Sequence, residues 1–171
     1  MSIRKLIEQQ SKKIELDVAE TLTKYPFIGV SAERNERDKM QNLAITNRLR
    51  NDIYRSEFKN QFFSAVGGYV EVNKKTKEEV TIDGERSFII YATTEDQKEK
   101  LKAFGEILGT KYEQDSILVK GYSEEPLEGF FLFTDSDDPN KNGTMDSIGT
   151  LNMNQRGVYY TKIGTLYFNF S

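Results

Sequence analysis

Two polar segments, each followed directly by an apolar run, are the first places to look for chemistry in this sequence. Glu85 and Ser87 precede one run, and Gln114 and Asp115 precede the other. Carboxylate, amide and hydroxyl groups of this kind bind polar ligands or move protons. The alternative is that these residues are only the solvated ends of two strands, since strand ends meet water.

A third polar segment follows the short apolar run of residues 27–30. In the architecture expected below, the end of the first strand lies beside the start of the fourth. The second helix begins there too, and its free amides favour anions. The candidate ligand or partner site therefore comprises Ser31, Glu33, Arg34, Asn35, Asn42, Gln114 and Asp115. Glu85 and Ser87 form a secondary polar cluster, which this architecture places at the opposite edge of the sheet.

One loop has part of the pattern of a calcium-binding loop. The residues at the matching positions are Asp138, Asn140, Asn142 and Asp146. The twelfth position, which should be Glu, is Gly149, and Asn, Asp and Gly are also common in ordinary tight turns. The favoured interpretation is a turn, so we expect no metal and no other cofactor.

Composition excludes several kinds of active site. The 171-residue chain has no His and no Cys, which removes catalytic triads that need His, thiolate metal sites and disulfides. Its net charge of −3 does not favour nucleic-acid binding, although residues 34–59 interleave Arg with aromatic residues. No run is apolar enough to span a membrane, and no signal peptide is visible. We therefore expect a cytoplasmic protein with no membrane partner.

Helical spacing of apolar residues predicts helices at residues 2–24, 36–55 and 95–108. Asn35 can cap the second helix. Thr94 and Gln97 match a capping box at the start of the third, and Gly109 fits the C′ position after its end.

Strands are expected at residues 27–30, 62–72, 80–82, 88–91, 117–119 and 130–133. Asp83-Gly84 is a two-residue hairpin signal, and Gly67-Gly68 suggests a bulge. The order β-α-β-β-α-β favours an α+β fold of the ferredoxin-like type, a mixed sheet with both long helices on one face. The domain organisation expected is a single domain over residues 1–171, with an appended helix at 1–25, a core at 27–133 and C-terminal strands, including a hairpin, at 145–171.

Four segments in this order resemble the domain of unknown function 3293 family: "IGVSAERNERDKMQNLAITNRLRNDI", "AVGGYVEV", "ERSFIIYA" and "GTKYEQDSILVK". The positions that carry the resemblance are Ser31, Ala32, Asn42, Leu43, Gly68, Tyr69, Glu85, Ser87, Tyr112 and Gln114. The resemblance covers about residues 27–133. It implies a small bacterial or phage protein with no agreed activity, and it supplies no catalytic residues.

The missing catalytic groups and the apolar elements at both termini favour a non-enzymatic, phage-related accessory protein. It would act by binding a protein, as a modulator of a host factor or a minor virion component, in the host cytoplasm or the virion. The partner would be another protein or a second copy of the chain. The alternative function is a domain that binds a small anion or nucleotide, or a hydrolase, at the edge formed by Ser31, Arg34 and Gln114.

Overall fold

The structure, a computed structural model, describes residues 2–73 and 75–171. The elements in chain order are α1 (Ile3–Lys24), β1 (Phe27–Val30), α2 (Lys39–Tyr54), β2 (Phe62–Val72), β3 (Glu79–Tyr91), α3 (Glu95–Lys111), β4 (Ser116–Lys120), β5 (Glu128–Phe133), a 3-10 turn (Pro139–Lys141), β6 (Met145–Met153), β7 (Tyr159–Ile163) and β8 (Leu166–Phe170). In the described part of the chain, no helix has both the length and the apolar composition needed to cross a bilayer.

The strands form one closed antiparallel barrel in the order β1-β3-β2-β7-β8-β6-β5-β4, with β4 paired back to β1. Gly29 of β1 lies opposite Ile89 of β3 on one side and Leu118 of β4 on the other. The predicted ferredoxin-like mixed sheet is therefore wrong, because that fold requires the first and third core strands to run parallel. The error arose because apolar periodicity locates strands but does not say which strands pair.

The C-terminal strands are part of the barrel and not an appended hairpin. β6 pairs with β5, and β7 pairs with β2, so residues 145–170 join the two ends of the sheet that the earlier strands leave open. Closure removes the exposed sheet edges that an open sheet of this size would present.

Two local predictions around β2 and β3 have different outcomes. The bulge is confirmed, because the register between β2 and β3 shifts between Val66 and Gly68. The Asp83-Gly84 hairpin is wrong, since both residues lie inside β3. The chain turns instead between Asn73 and Glu79, where the Asn73 amide donates to the Glu78 carbonyl at 2.9 Å.

Helix ends also differ in detail from the sequence pattern. Asp38, rather than Asn35, caps α2, and its carboxylate accepts a bond of 2.8 Å from the Gln41 amide in a capping box. Thr94 caps α3 as predicted, but the Gln97 side chain accepts from the Thr93 amide at 3.1 Å and so does not complete the predicted capping box. Gly109 lies within α3, where it allows close packing: a Cβ there would lie 2.7 Å from the Thr134 Cβ.

Two apolar clusters lie on the two sides of the barrel wall. The outer cluster packs α2 and α3 side by side against β1, β3 and β4, through residues such as Leu49 and Leu101. The inner cluster fills one end of the barrel around Phe27 and Phe168, and Leu22 of α1 packs into it. We call this filled end the α1 end and the opposite end the mouth.

Lys120 ties α1 to its end of the barrel. The side chain is only 1% exposed, and its Nζ donates to the carbonyls of Thr23 and Tyr25, each at 3.0 Å. These carbonyls belong to the end of α1, where a cation is favourable. Burial lowers the pKa of Lys120 from 10.5 to about 8.

Candidate active site

The mouth of the barrel opens into a cleft of about 580 Å³ that both polar segments line. Of the residues proposed from sequence, Glu33, Arg34, Asn35, Asn42, Glu85, Gln114 and Asp115 lie along this cleft. The expectation that the Glu85 and Gln114 segments occupy opposite edges is wrong. It fails because β1 runs between β3 and β4, so both segments flank the point where the chain leaves β1.

Behind the cleft, the barrel interior contains a smaller cavity of about 320 Å³ with polar and apolar parts. Ser31, Ser87, Ser116 and Thr161 line it, together with Glu85 and Gln114 at the boundary with the cleft. Space exists here because Gly29 and Gly67 occupy inward positions on β1 and β2. The ring of Phe131 forms an apolar part of the wall and is 45% exposed.

Glu33 attaches the segment that follows β1 to Arg86 of β3. Its carboxylate accepts a hydrogen bond from the Arg86 backbone amide, and its Oε1 lies 3.8 Å from the Arg86 Nε. The Ser31 hydroxyl donates to the Arg86 carbonyl at 2.8 Å. Glu33 is 15% exposed at its side chain, so these bonds hold it largely away from solvent.

The loop between β1 and α2 is held by reciprocal bonds that position Arg34. The Asn42 side chain accepts from the Arg34 amide and donates to the Arg34 carbonyl, both at 3.0 Å. The Arg34 guanidinium bonds to Glu36 and to the Glu113 carbonyl. The hydrogen bond from Arg34 is the main reason that the pKa of Glu36 is lowered.

Gln114 and Asp115 reach the cleft because α3 ends in an unusual way. Glu113 has φ of 55°, the left-handed conformation that usually selects glycine at this position. The Gln114 amide donates to the Gly109 carbonyl at 2.8 Å, and the Glu113 amide donates to Thr110 at 3.2 Å, which completes a Schellman motif. The Gln114 side chain then donates to the Glu33 carbonyl at 3.3 Å, so β1 and β4 are joined at the mouth.

Glu85 is a carboxylate whose position at the mouth raises its pKa. Partial removal of water from the carboxylate is the main reason that its pKa lies above 4.5. The nearby Ser31 hydroxyl lowers the pKa, and the negative charge of Glu33 raises it. The side chain still contacts solvent. Glu85 is thus a carboxylate at the junction of cleft and cavity, placed to meet a ligand that occupies both.

The cleft as a whole favours a cation. Five carboxylates line it, from Glu33, Glu36, Glu85, Glu113 and Asp115, against two guanidinium groups, from Arg34 and Arg37. The difference of five and two leaves three negative charges in excess when all are ionised. A cleft of one sign focuses the field and raises the local concentration of ligands of opposite charge.

The loop tested for calcium lies away from this cleft and is a turn. Asp138 caps the 3-10 turn by accepting from the Asn140 amide at 3.1 Å, and the Asn142 side chain accepts from the Ser136 amide at 2.9 Å. Asp146 lies in β6. Over residues 2–73 and 75–171, no group of three or more His, Cys, Asp or Glu side chains is arranged to hold a metal ion.

Sequence reasoning missed several residues of the cleft and cavity, among them Arg37, Glu113, Phe131 and Thr161. Arg37 and Glu113 stand beside residues already proposed, and Arg37 bonds to the Glu113 carboxylate at 3.3 Å. Extending each polar segment by a few residues would have included both. Phe131 and Thr161 could not be found in this way, because they reach the cavity only through barrel closure.

Comparison with known protein families gives a match to the S-Adenosylmethionine lyase family over residues 28–170. The match extends from β1 to the end of β8, so it covers every strand of the barrel. The chain belongs to the S-Adenosylmethionine lyase family. The resemblance to the domain of unknown function 3293 family is therefore wrong, and the phage origin taken from it is not supported. A search of curated proteins finds no significant match.

Membership of this family also overturns the functional expectation. The prediction of a non-enzymatic accessory protein rested on missing His and Cys and on unassembled motifs. A family of lyases contradicts it. The predicted protein partner and self-association stay predictions.

Proposed function

We propose that the protein cleaves S-adenosylmethionine at the mouth of the barrel, breaking a carbon–sulfur bond without adding water. The observation that carries the proposal is the family match over residues 28–170, which spans every strand that builds the mouth. The excess of carboxylates in the cleft supports it independently, because the sulfonium and ammonium groups of S-adenosylmethionine are both cations.

The chemistry of a sulfonium explains why the chain needs no His. The sulfur leaves as a neutral thioether that takes the bonding electron pair, so no acid has to protonate it. Catalysis then depends on holding a reactive conformation and on placing charge near the sulfur. The carboxylates of the mouth can do this, and among them Glu85 lies at the boundary with the inner cavity.

The same chemistry disfavours loss of the methyl group and favours cleavage at the aminobutyryl chain, which carries its own nucleophile. Cleaving the methyl group needs an acceptor, because a methyl carbon has no neighbouring carbon from which a proton could leave. The aminobutyryl chain supplies both an internal nucleophile, its own carboxylate, and a neighbouring carbon that carries protons. We therefore expect methylthioadenosine as one product. The other is a cyclic ester if the carboxylate displaces sulfur, or an unsaturated amino acid if a base such as Glu85 removes a proton.

The remaining groups of the mouth suit the other parts of this substrate. Arg34 and Arg37 offer guanidinium groups for its carboxylate, although both also bond to Glu113. The half-exposed ring of Phe131 offers an apolar face on which adenine can stack. The cleft of about 580 Å³ falls in the range of small-molecule sites.

The test is to incubate the purified full chain with S-adenosylmethionine in water enriched in ¹⁸O and to analyse the first products by mass spectrometry. We expect methylthioadenosine and a second product without ¹⁸O at early times. Unchanged S-adenosylmethionine would contradict the proposal. Immediate ¹⁸O incorporation would indicate a hydrolase and contradict the lyase chemistry.

A further inference from the structure

A second groove, lined by both apolar and cationic residues, lies on the outside of the barrel wall, between α2 and strands β2, β3 and β7, with a volume of about 360 Å³. We call it the outer groove and define it by Thr46, Arg50, Ser64, Val66, Arg86 and Lys162. Its charge is opposite to that of the mouth. Of the described residues that line it, three are cationic and none is acidic.

Strand register places two of these cations on either side of one apolar residue. Val66 of β2 lies opposite Arg86 of β3 and also opposite Lys162 of β7. Residues directly opposite each other on neighbouring strands point to the same face of the sheet. Arg86 and Lys162 therefore both project beside Val66 on the outer surface. Two strand spacings separate their backbones, about 10 Å in all. A ligand that bridges them must carry anionic oxygens at more than one position.

The third cation comes from α2. Arg50 lies over the Phe88 ring at 5.3 Å and donates to the Asn47 side chain at 2.8 Å. In the described part of the chain, no carboxylate lies within ion-pair distance of Arg50. A guanidinium has five N–H donors, so Arg50 keeps donors for a ligand.

The carboxylate partners of the other two cations are only loosely placed. Arg86 is 3.8 Å from Glu33, and Lys162 is 3.5 Å from Asp83. Such pairs leave several donors of each cation unused.

A buried hydroxyl points to a ligand independently of the charges. Thr46 is 1% exposed and lines the outer groove, and its Oγ1 has no hydrogen-bond partner. Buried polar groups without a partner are rare in proteins and call for an explanation. Thr46 lines the groove, so rotation about its Cα–Cβ bond can bring the hydroxyl to an anion bound there.

We propose that the outer groove binds a small anion of the phosphate class with at least two phosphoryl groups, such as a diphosphate. Arg50, Arg86 and Lys162 supply the charge, and the Thr46 and Ser64 hydroxyls supply further donors. The site is separate from the cleft at the mouth and does not depend on S-adenosylmethionine cleavage.

The experiment titrates the full-length protein with inorganic pyrophosphate by isothermal calorimetry, at constant ionic strength set with chloride. The variants are Arg50→Gln and Lys162→Gln, with circular dichroism to check that each is folded. The matched control is Arg48→Gln, which removes an exposed arginine of the same helix outside the groove. We expect each groove variant to weaken binding about tenfold or more, as loss of a hydrogen bond between charged groups does, and the control to bind like the parent.

Further variants separate binding in the outer groove from binding elsewhere on the protein. Thr46→Val keeps the shape and removes the hydroxyl, and we expect it to weaken pyrophosphate binding as well. No binding by the parent, or equal weakening by Arg48→Gln, would overturn the proposal. Loss of binding in Arg34→Gln would place the anion at the mouth and also overturn it. A short single-stranded oligonucleotide that binds more tightly than pyrophosphate through Arg50 and Lys162 would contradict a small ligand.

Discussion

Replacing the buried Lys120 with Met should change how the stability of the protein depends on pH. The Lys120 ammonium is enclosed at the α1 end and bonds to the carbonyls of Thr23 and Tyr25. Enclosure lowers its pKa to about 8, from 10.5 in water. Met has a similar length and no charge, so Lys120→Met removes the titration and keeps most of the packing.

The direction in which stability changes with pH follows from the number of protons that the folded and unfolded states bind. Between pH 8 and pH 10.5 the folded chain holds Lys120 neutral, while the unfolded chain holds it protonated. The unfolded state then binds more protons, so the free energy of unfolding rises with pH across this window. A shift from 10.5 to about 8 corresponds to a rise of at most about 3 kcal/mol. Two carbonyl acceptors favour the charged form, which makes this figure an upper limit.

The assay is urea unfolding of the parent and of Lys120→Met at a series of pH values from 8 to 10.5, with the difference in free energy taken at each pH. The parent should gain stability relative to the variant as pH rises. Burial raises the pKa of Tyr112 and Tyr122, which lowers stability at high pH, but this effect is common to both proteins and cancels. Lys59→Met, at an exposed site, is the control and should show no pH-dependent difference. A constant difference between parent and Lys120→Met would refute the reasoning.

Three further substitutions test how the mouth and α3 are held. Glu113→Gly should stabilise the chain by up to about 1 kcal/mol, because glycine adopts the left-handed conformation at no steric cost. Gly109→Ala should destabilise it by about 1–3 kcal/mol, since the added Cβ would lie 2.7 Å from the Thr134 Cβ. Asp52→Ala should cost about 1–3 kcal/mol, because it removes the carboxylate that accepts the hydrogen bond from the buried Tyr112 hydroxyl. Equilibrium urea unfolding measures all three.

Each of these predictions has a result that would contradict it. A less stable Glu113→Gly variant would mean that the side-chain contacts of Glu113 outweigh the backbone conformation. A Gly109→Ala variant as stable as the parent would show that Thr134 moves aside without loss. An Asp52→Ala variant with unchanged stability would mean that the hydrogen bond to Tyr112 contributes nothing to folding.

Local features of the sequence predicted individual elements well and their assembly poorly. The spacing from Ile3 to Leu22 predicted α1, and Thr94 marked the start of α3. Barrel closure depends on pairing between strands far apart in the chain, such as Phe27 with Lys120. No periodicity within one segment encodes such a partner, so a mixed sheet and a barrel fit the same pattern.

The residues of the candidate site were likewise easier to predict than the way in which they assemble. Polar residues that flank apolar runs, such as Ser31 and Gln114, were visible in sequence, and the structure brings both to the cavity behind the cleft. The relation of Glu85 to that cleft was not visible, because it depends on β1 lying between β3 and β4. The negative charge of the cleft is likewise a property of the assembled mouth, since each contributing segment also carries arginine or amide groups.

The most direct test of the central claim compares rates of methylthioadenosine release by the parent, Glu85→Gln and Glu124→Gln, across pH. Glu124 is an exposed carboxylate outside the cleft. We predict that Glu124→Gln cleaves S-adenosylmethionine like the parent and that Glu85→Gln is roughly tenfold to a hundredfold slower. The parent rate should fall as pH drops through the raised pKa of Glu85, and the Glu85→Gln rate should lack that fall. A Glu85→Gln variant with the rate and pH profile of the parent would contradict the placement of the active site at the mouth.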